Sequence, residues 1–183
     1  MRNLETLVGG EWVTTGEWID VHDPADVRAP VARVPALSAK DVTRAYDHAE
    51  RGFAGWKRTS PFERARVLTG AARLIRERLD EIAADVTAEN GKTLAEARGE
   101  AGKAADFLEY YAGLARQGYG TLLHDARPDT RTHTQREPIG VLLVISPWND
   151  PLITPARKLA PLLAAGNAAV FKPATDTPVS GLC

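Results

Sequence analysis

Two short apolar runs near the end of the chain, Val141–Leu142–Leu143–Val144–Ile145 and Ala168–Ala169–Val170–Phe171, bracket a segment from Pro151 to Ala165 that is helix-like in pattern. The first run is of the kind that forms a strand buried on both faces. A polar turn, Ser146–Pro147–Trp148–Asn149–Asp150, leads out of it, and Gly166–Asn167 stops the helical segment. The pattern predicts a strand–helix–strand unit, hence a parallel sheet with a ligand crevice at the carboxyl ends of its strands. Thr177–Pro178 predicts an N-cap followed by proline at the first position of a further helix. Two parallel strands and an incipient helix fall short of a finished α/β domain, so the chain reads as the front part of something larger.

Upstream the patterning changes twice. Thr6–Leu7–Val8, Gly9–Gly10 and Trp12–Val13–Thr14 predict a hairpin with a glycine turn, and His22–Asp23–Pro24–Ala25–Asp26 is turn chemistry. Helices are expected next. Ser38 with Asp41 forms a variant capping box ahead of the face Val42, Ala45, Ala49 and Phe53. Ser60–Pro61–Phe62–Glu63 opens a second helical stretch with the stripe Val67, Leu68, Ala71, Leu74, Ile75 and Leu79. Asn90–Gly91 stops it. Thr93 caps another helix to about Gln117, whose apolar face takes in Leu94, Ala97, Ala101, Ala105, Leu108 and Tyr111. From 118 to 137, Thr130, Thr132 and Thr134 alternate with Arg131, His133 and Gln135. A strand polar on both faces is an exposed edge or arm, suited to pairing with another chain.

Composition narrows the function classes. The 183 residues carry a net charge of −1, with 44% apolar and 26% charged residues, and the pI is 6.4. That balance argues against nucleic acid or an anionic membrane surface as partner. No run reaches the length of a membrane span, and Met1–Arg2–Asn3–Leu4–Glu5 lacks a signal-peptide core. The single cysteine, Cys183, rules out a disulfide framework and fits a reducing, cytoplasmic location. His22, His48, His124 and His133 lack metal-ligand spacing, so no metal is expected. The Arg and Glu residues of the helices read as surface charge.

The turn Ser146–Pro147–Trp148–Asn149–Asp150–Pro151 is followed by Lys158–Leu159–Ala160–Pro161, Ala165–Gly166–Asn167 and Phe171–Lys172–Pro173. With these blocks the chain resembles the NAD(P)-dependent aldehyde dehydrogenase superfamily. Gly9–Gly10–Glu11–Trp12, Asp23–Pro24, Trp56, Arg64, Glu89–Asn90–Gly91–Lys92 and Glu137–Pro138–Ile139–Gly140 follow the expected order, so the resemblance covers essentially the whole chain. It implies an α/β fold: the N-terminal part of an aldehyde dehydrogenase, with hairpins and helices over 1–117, an oligomerisation arm over 118–137, and the first β-α-β of a Rossmann-like cofactor domain over 138–183. It implies NAD or NADP as cofactor, a small-molecule aldehyde as substrate, and a homo-oligomer. In the family a cysteine thiolate attacks the aldehyde, hydride passes to NAD(P)+, and a glutamate activates the water that hydrolyses the thioester. That cysteine and that glutamate lie downstream of the matched region and are absent from this sequence. Cys183 does not match the nucleophile's position.

By resemblance the Asn149 amide is an oxyanion donor. Taken alone, asparagine there reads better as a turn or cap residue between strand and helix. Lys172 resembles the lysine that hydrogen-bonds the cofactor's adenosine ribose, its plain alternative being a solvated lysine after a strand. Thr175 stands where many NAD-preferring relatives carry glutamate; threonine neither binds the 2′-hydroxyl nor repels a 2′-phosphate strongly, which implies tolerance of NADP+ as well as NAD+. Ile145, Ser146, Pro147 and Trp148 resemble the stretch whose backbone lines the cofactor cleft. Asp150 departs from the family's frequent aromatic residue at the substrate tunnel. It reads either as an N-cap before Pro151, with Thr154–Pro155 as a competing start, or as a tunnel residue disfavouring purely apolar aldehydes. Three functional classes stay open on sequence: an aldehyde dehydrogenase fragment, a non-catalytic remnant serving oligomerisation or weak nucleotide binding, and a coenzyme-A-dependent acylating relative.

Overall fold

Glycine pairs and local caps set the first elements. The structure is a computed structural model that describes residues 1–14 and 16–182. After a short β1 (Arg2–Asn3), β2 (Thr6–Val8) turns back into β3 (Glu11–Val13) through Gly9 and Gly10, whose φ values of 63° and 89° suit the tight primed hairpin turn. β4 (Trp18–Asp23) and β5 (Asp26–Pro35) form a second hairpin, its turn held by Ala25 N–H donating to Asp23 Oδ1 at 2.8 Å. β1 joins the far side of β5 in parallel.

Four helices follow: α1 (Ala39–Trp56), α2 (Pro61–Glu77), α3 (Leu79–Asn90) and α4 (Leu94–Ala115). The expected capping boxes are present at Ser38/Asp41 and Thr93/Glu96, and Ser60 caps α2 with Pro61 behind it. Gly91, at φ 82°, closes α3 in the left-handed conformation. The second stretch is thus two helices, α2 and α3. Alanines let them approach closely. Ala65 and Ala72 of α2 and Ala105 of α4 are fully buried in one cluster, and Ala83 of α3 with Ala97 and Ala101 of α4 in another. The predicted stripes are narrower than expected: Val42, Val67, Leu74 and Leu94 are exposed, while Arg64 is buried beside Ala65 and Leu68.

β6 (Gly120–Leu123) and β7 (Thr132–Gln135) pair antiparallel as an exposed two-stranded ribbon, as the polar alternation requires. β8 (Val141–Ile145), α5 (Ile153–Ala164) and β9 (Ala168–Lys172) complete the strand–helix–strand unit, with Ile145 opposite Lys172 in the parallel register. Three expectations are corrected here. β8 is covered on one face: Val144 is 4% exposed, whereas Leu143 and Ile145, on the opposite pleat, are about half exposed. α5 begins at Ile153 without a side-chain cap of its own, so neither Asp150 nor Thr154 caps it. No helix starts at Pro178. The segment instead makes a 3₁₀ turn, Ser180–Leu182, whose leading Val179 and Ser180 N–H groups donate to the buried Glu89 carboxylate. Cys183 lies outside the described residues.

Candidate active site

The carboxyl ends of β8 and β9 lie side by side, since Ser146 N–H donates to the Lys172 carbonyl at 3.3 Å. Parallel pairing therefore brings the Ser146–Asp150 loop and the segment after Lys172 to one edge of the sheet, where ligands of open α/β sheets bind. Ser146 is buried; Ile145, Pro147, Trp148, Asn149, Lys172 and Thr175 are exposed. The Lys172 ammonium donates to the adjacent Pro173 carbonyl at 2.8 Å and has donors to spare.

What fixes the loop comes from elsewhere in the chain. The Ile145 carbonyl accepts from Nζ of Lys158, a residue of α5, at 2.5 Å. The Trp148 carbonyl accepts from Asn90 Nδ2 at 2.9 Å and from the buried Thr177 hydroxyl at 3.5 Å. On the other side of Asn149, Asp150 accepts from Lys92 Nζ at 3.2 Å, and its carbonyl accepts from Thr154 N–H. Glu100, buried on α4, then serves two partners. One oxygen pairs with Lys92; the other accepts the Leu152 and Ile153 N–H groups at 2.8 and 3.3 Å. A carboxylate remote in sequence thus takes the place of a local N-cap, where the helix dipole favours negative charge. Asn149 sits between these two pinned neighbours, its own amide exposed and donating to Asp150 Oδ2 at 3.1 Å.

The opposite end of α5 is held in the same manner. Buried Arg64 donates to the Ala164 carbonyl at 2.9 Å, and Trp56 Nε1 donates to the Leu163 carbonyl at 3.0 Å. Asn167 Oδ1 accepts from the Ile139 and Gly140 N–H groups, which aligns the start of β8 with the start of β9. Arg64, Glu89 and Glu100 are therefore interior groups, and the reading of helix charges as surface charge is wrong for them. Their only sequence signal was membership, for Arg64 and Glu89, in the family-like blocks.

Burial sets the electrostatics. It pushes the Glu89 carboxyl up to about 7, against the pull of the Ser180 hydroxyl and the two N–H donors. At Lys92 burial lowers the pKa, but the bonds to Glu100 and then Asp150 outweigh it, and the ammonium stays charged above its ordinary value. The site therefore presents a neutral amide donor on a loop whose flanks are clamped, at the same sheet edge as the segment that carries an exposed ammonium. Such a pair can take a polarised carbonyl oxygen and a hydroxylated ligand at one edge.

Comparison with known proteins identifies the family. The family model described as "Aldehyde dehydrogenase family" matches residues 12–183. The chain is 41% identical over 176 residues to the alpha-ketoglutaric semialdehyde dehydrogenase of Bacillus subtilis, covering 95% of this chain and 36% of that protein. It is 42% identical over 176 residues to the succinate-semialdehyde dehydrogenase [NADP(+)] of Saccharomyces cerevisiae, covering 96% and 35%. The crystal structure of an aldehyde dehydrogenase from Brucella melitensis biovar abortus superposes with a TM-score of 0.95 at 38% identity, covering 97% of this chain and 37% of that one. The chain thus spans about a third of the length of the curated relatives it matches. A family match over residues 12–183, with a fold that superposes this closely, means that the chain belongs to the aldehyde dehydrogenase family.

Proposed function

We propose that this chain is the amino-terminal part of an NAD(P)+-dependent aldehyde dehydrogenase that converts an aldehyde to a carboxylic acid, with Asn149 as the oxyanion donor. The observation that carries the reading is the exposed Asn149 amide on a loop clamped at Trp148 and Asp150, at the carboxyl edge shared with Lys172. A preorganised N–H costs no reorganisation when negative charge develops on the aldehyde oxygen. Residues outside this sequence supply the cysteine nucleophile and the glutamate base.

The residues at the edge fit a dinucleotide. Lys172 offers exposed N–H donors to ribose hydroxyls, Thr175 adds no charge beside them, and the exposed Ile145, Pro147 and Trp148 around buried Ser146 give a wall. When bound, the dinucleotide accepts the hydride. Thr175 supports use of either NAD+ or NADP+, and a curated relative from yeast is named for NADP(+). Semialdehydes are the first substrates to test, as the names of the relatives from Bacillus subtilis and yeast suggest. Asp150 belongs to the substrate mouth in this reading, with its charge balanced by Lys92. The three segments 1–117, 118–137 and 138–183 are proposed as separate working parts, with the β6–β7 ribbon as the arm of a homo-oligomer. A cytoplasmic location belongs to the same proposal, supported by the lone cysteine; among the described residues no helix is long and apolar enough to cross a membrane.

The test is Asn149→Ala in the complete enzyme, followed by NAD(P)H absorbance. Loss of one oxyanion donor lowers kcat about 10²–10³-fold, with little change in KM for the dinucleotide. An unchanged kcat would overturn the assignment.

A further inference from the structure

An amide is useful as an oxyanion donor only if its nitrogen, and not its oxygen, is presented. The Asn149 side chain could satisfy its surroundings either way round, since nitrogen and oxygen occupy equivalent volumes at the end of the same stem. What breaks the symmetry is Asp150. An ionised carboxylate is acceptor-only, so only the amide's NH2 face can meet it. Asp150 Oδ2 lies 3.1 Å from Asn149 Nδ2, and Asp150 Oδ1 lies 3.2 Å from Lys92 Nζ.

The arrangement extends further. Lys92 is itself held by Glu100, and the second Glu100 oxygen is fixed by the Leu152 and Ile153 N–H groups. A continuous line of alternating partners therefore runs from the start of α5 through Glu100, Lys92 and Asp150 to the Asn149 amide. The cation in it has a second purpose. A bare carboxylate this close to the amide would oppose a negative charge on the amide's other partner, and Lys92 offsets that repulsion.

We propose that Asp150 is a positioning residue for the reaction: it takes one hydrogen of the Asn149 amide, fixes the nitrogen outward, and leaves the second hydrogen for the substrate oxygen. The proposal rests on the reading of Asn149 as the oxyanion donor. Asp150 does not touch the reacting atoms; it acts through its neighbour.

The experiment compares four variants of the complete enzyme: Asn149→Ala, Asp150→Ala, Asp150→Asn and the Asn149→Ala/Asp150→Ala double substitution. Asp150→Ala should lower kcat about tenfold, with KM for the dinucleotide unchanged. The double variant should be no slower than Asn149→Ala alone, because the two residues act through one amide. Asp150→Asn keeps one oxygen, which Lys92 claims, and turns its own NH2 toward Asn149, so it should be no faster than Asp150→Ala. A double variant whose losses multiply, or an Asp150→Ala variant with the parent's kcat, would overturn the proposal.

A second measurement separates this failure from that of the oxyanion reading. In the isotope-labelled 183-residue chain, the Asn149 side-chain proton facing Asp150 should lie downfield of its free-amide position and exchange slowly, and should move to the free-amide position and exchange faster in Asp150→Ala. The same amide signals in both proteins would sink the positioning role whatever the kinetics. A parent-like kcat in Asn149→Ala, with the amide signals behaving as described, would sink only the oxyanion reading.

Discussion

Glu89 offers the most quantitative handle on this fold. Its carboxylate is buried at the end of α3 and receives the Val179 and Ser180 N–H groups at 2.7 and 2.8 Å, together with the Ser180 hydroxyl. Those donors favour the charged form, yet burial outweighs them and lifts the folded-state pKa to about 7, from an ordinary 4.5. At about 1.4 kcal/mol for each pH unit, that difference corresponds to roughly 3 kcal/mol. The native state holds this proton more tightly than the unfolded chain. The stabilisation is therefore complete below about pH 4.5, declines as pH rises, and is gone above about pH 7. Urea unfolding of the 183-residue chain between about pH 5 and pH 8 measures it, with Glu89→Gln as the non-titrating reference. Parent stability should fall across that window relative to the variant, most steeply between about pH 5 and pH 7. The lowered carboxyls of Asp41, Glu63 and Glu96 lose their contribution only at lower pH and do not confuse the comparison. Parallel pH profiles for the two proteins would refute the reasoning, as would a parent that gains stability with rising pH.

Two further expectations concern the clamps around the loop. Glu100→Gln leaves Lys92 without its buried counter-charge and puts an amide nitrogen near groups that donate, at a cost of roughly 3 kcal/mol in denaturant unfolding; a loss well under 1 kcal/mol would show that the pair contributes little. Gly91→Ala places a Cβ 2.7 Å from Pro24 Cγ at a residue whose φ is 82°, so about 2 kcal/mol should be lost, and an unchanged unfolding midpoint would contradict the left-handed cap.

Local chemistry was legible in the sequence, and distant chemistry was not. The boxes at Ser38/Asp41 and Thr93/Glu96 are visible because partner and cap lie three residues apart. The Gly9–Gly10 turn and the exposed, polar strand β7 are visible for the same reason: each is decided by near neighbours. The start of α5 was misread because Asp150 looks like an N-cap, while its carboxylate is taken by Lys92 and the helix amides by Glu100, a residue 52 positions before Leu152. At Ser180 the acceptor was equally remote: Glu89, 91 positions earlier, takes its N–H group. On a helical wheel Arg64, Glu89 and Glu100 are indistinguishable from surface charge. Only packing reveals that each satisfies the backbone of another element. The loop residues Asn149 and Lys172 were found through their resemblance to family blocks, and the parallel register then brings their segments to one edge.

The claim on which the account depends is that the loop after β8 holds a carbonyl oxygen beside a dinucleotide. A crystal structure of the complete enzyme with dinucleotide and an unreactive substrate analogue tests it most directly. The account predicts Asn149 Nδ2 about 2.7–3.1 Å from the analogue's oxygen, with Lys172 on the ribose. An oxygen bound elsewhere, with the Asn149 amide facing solvent, would contradict it.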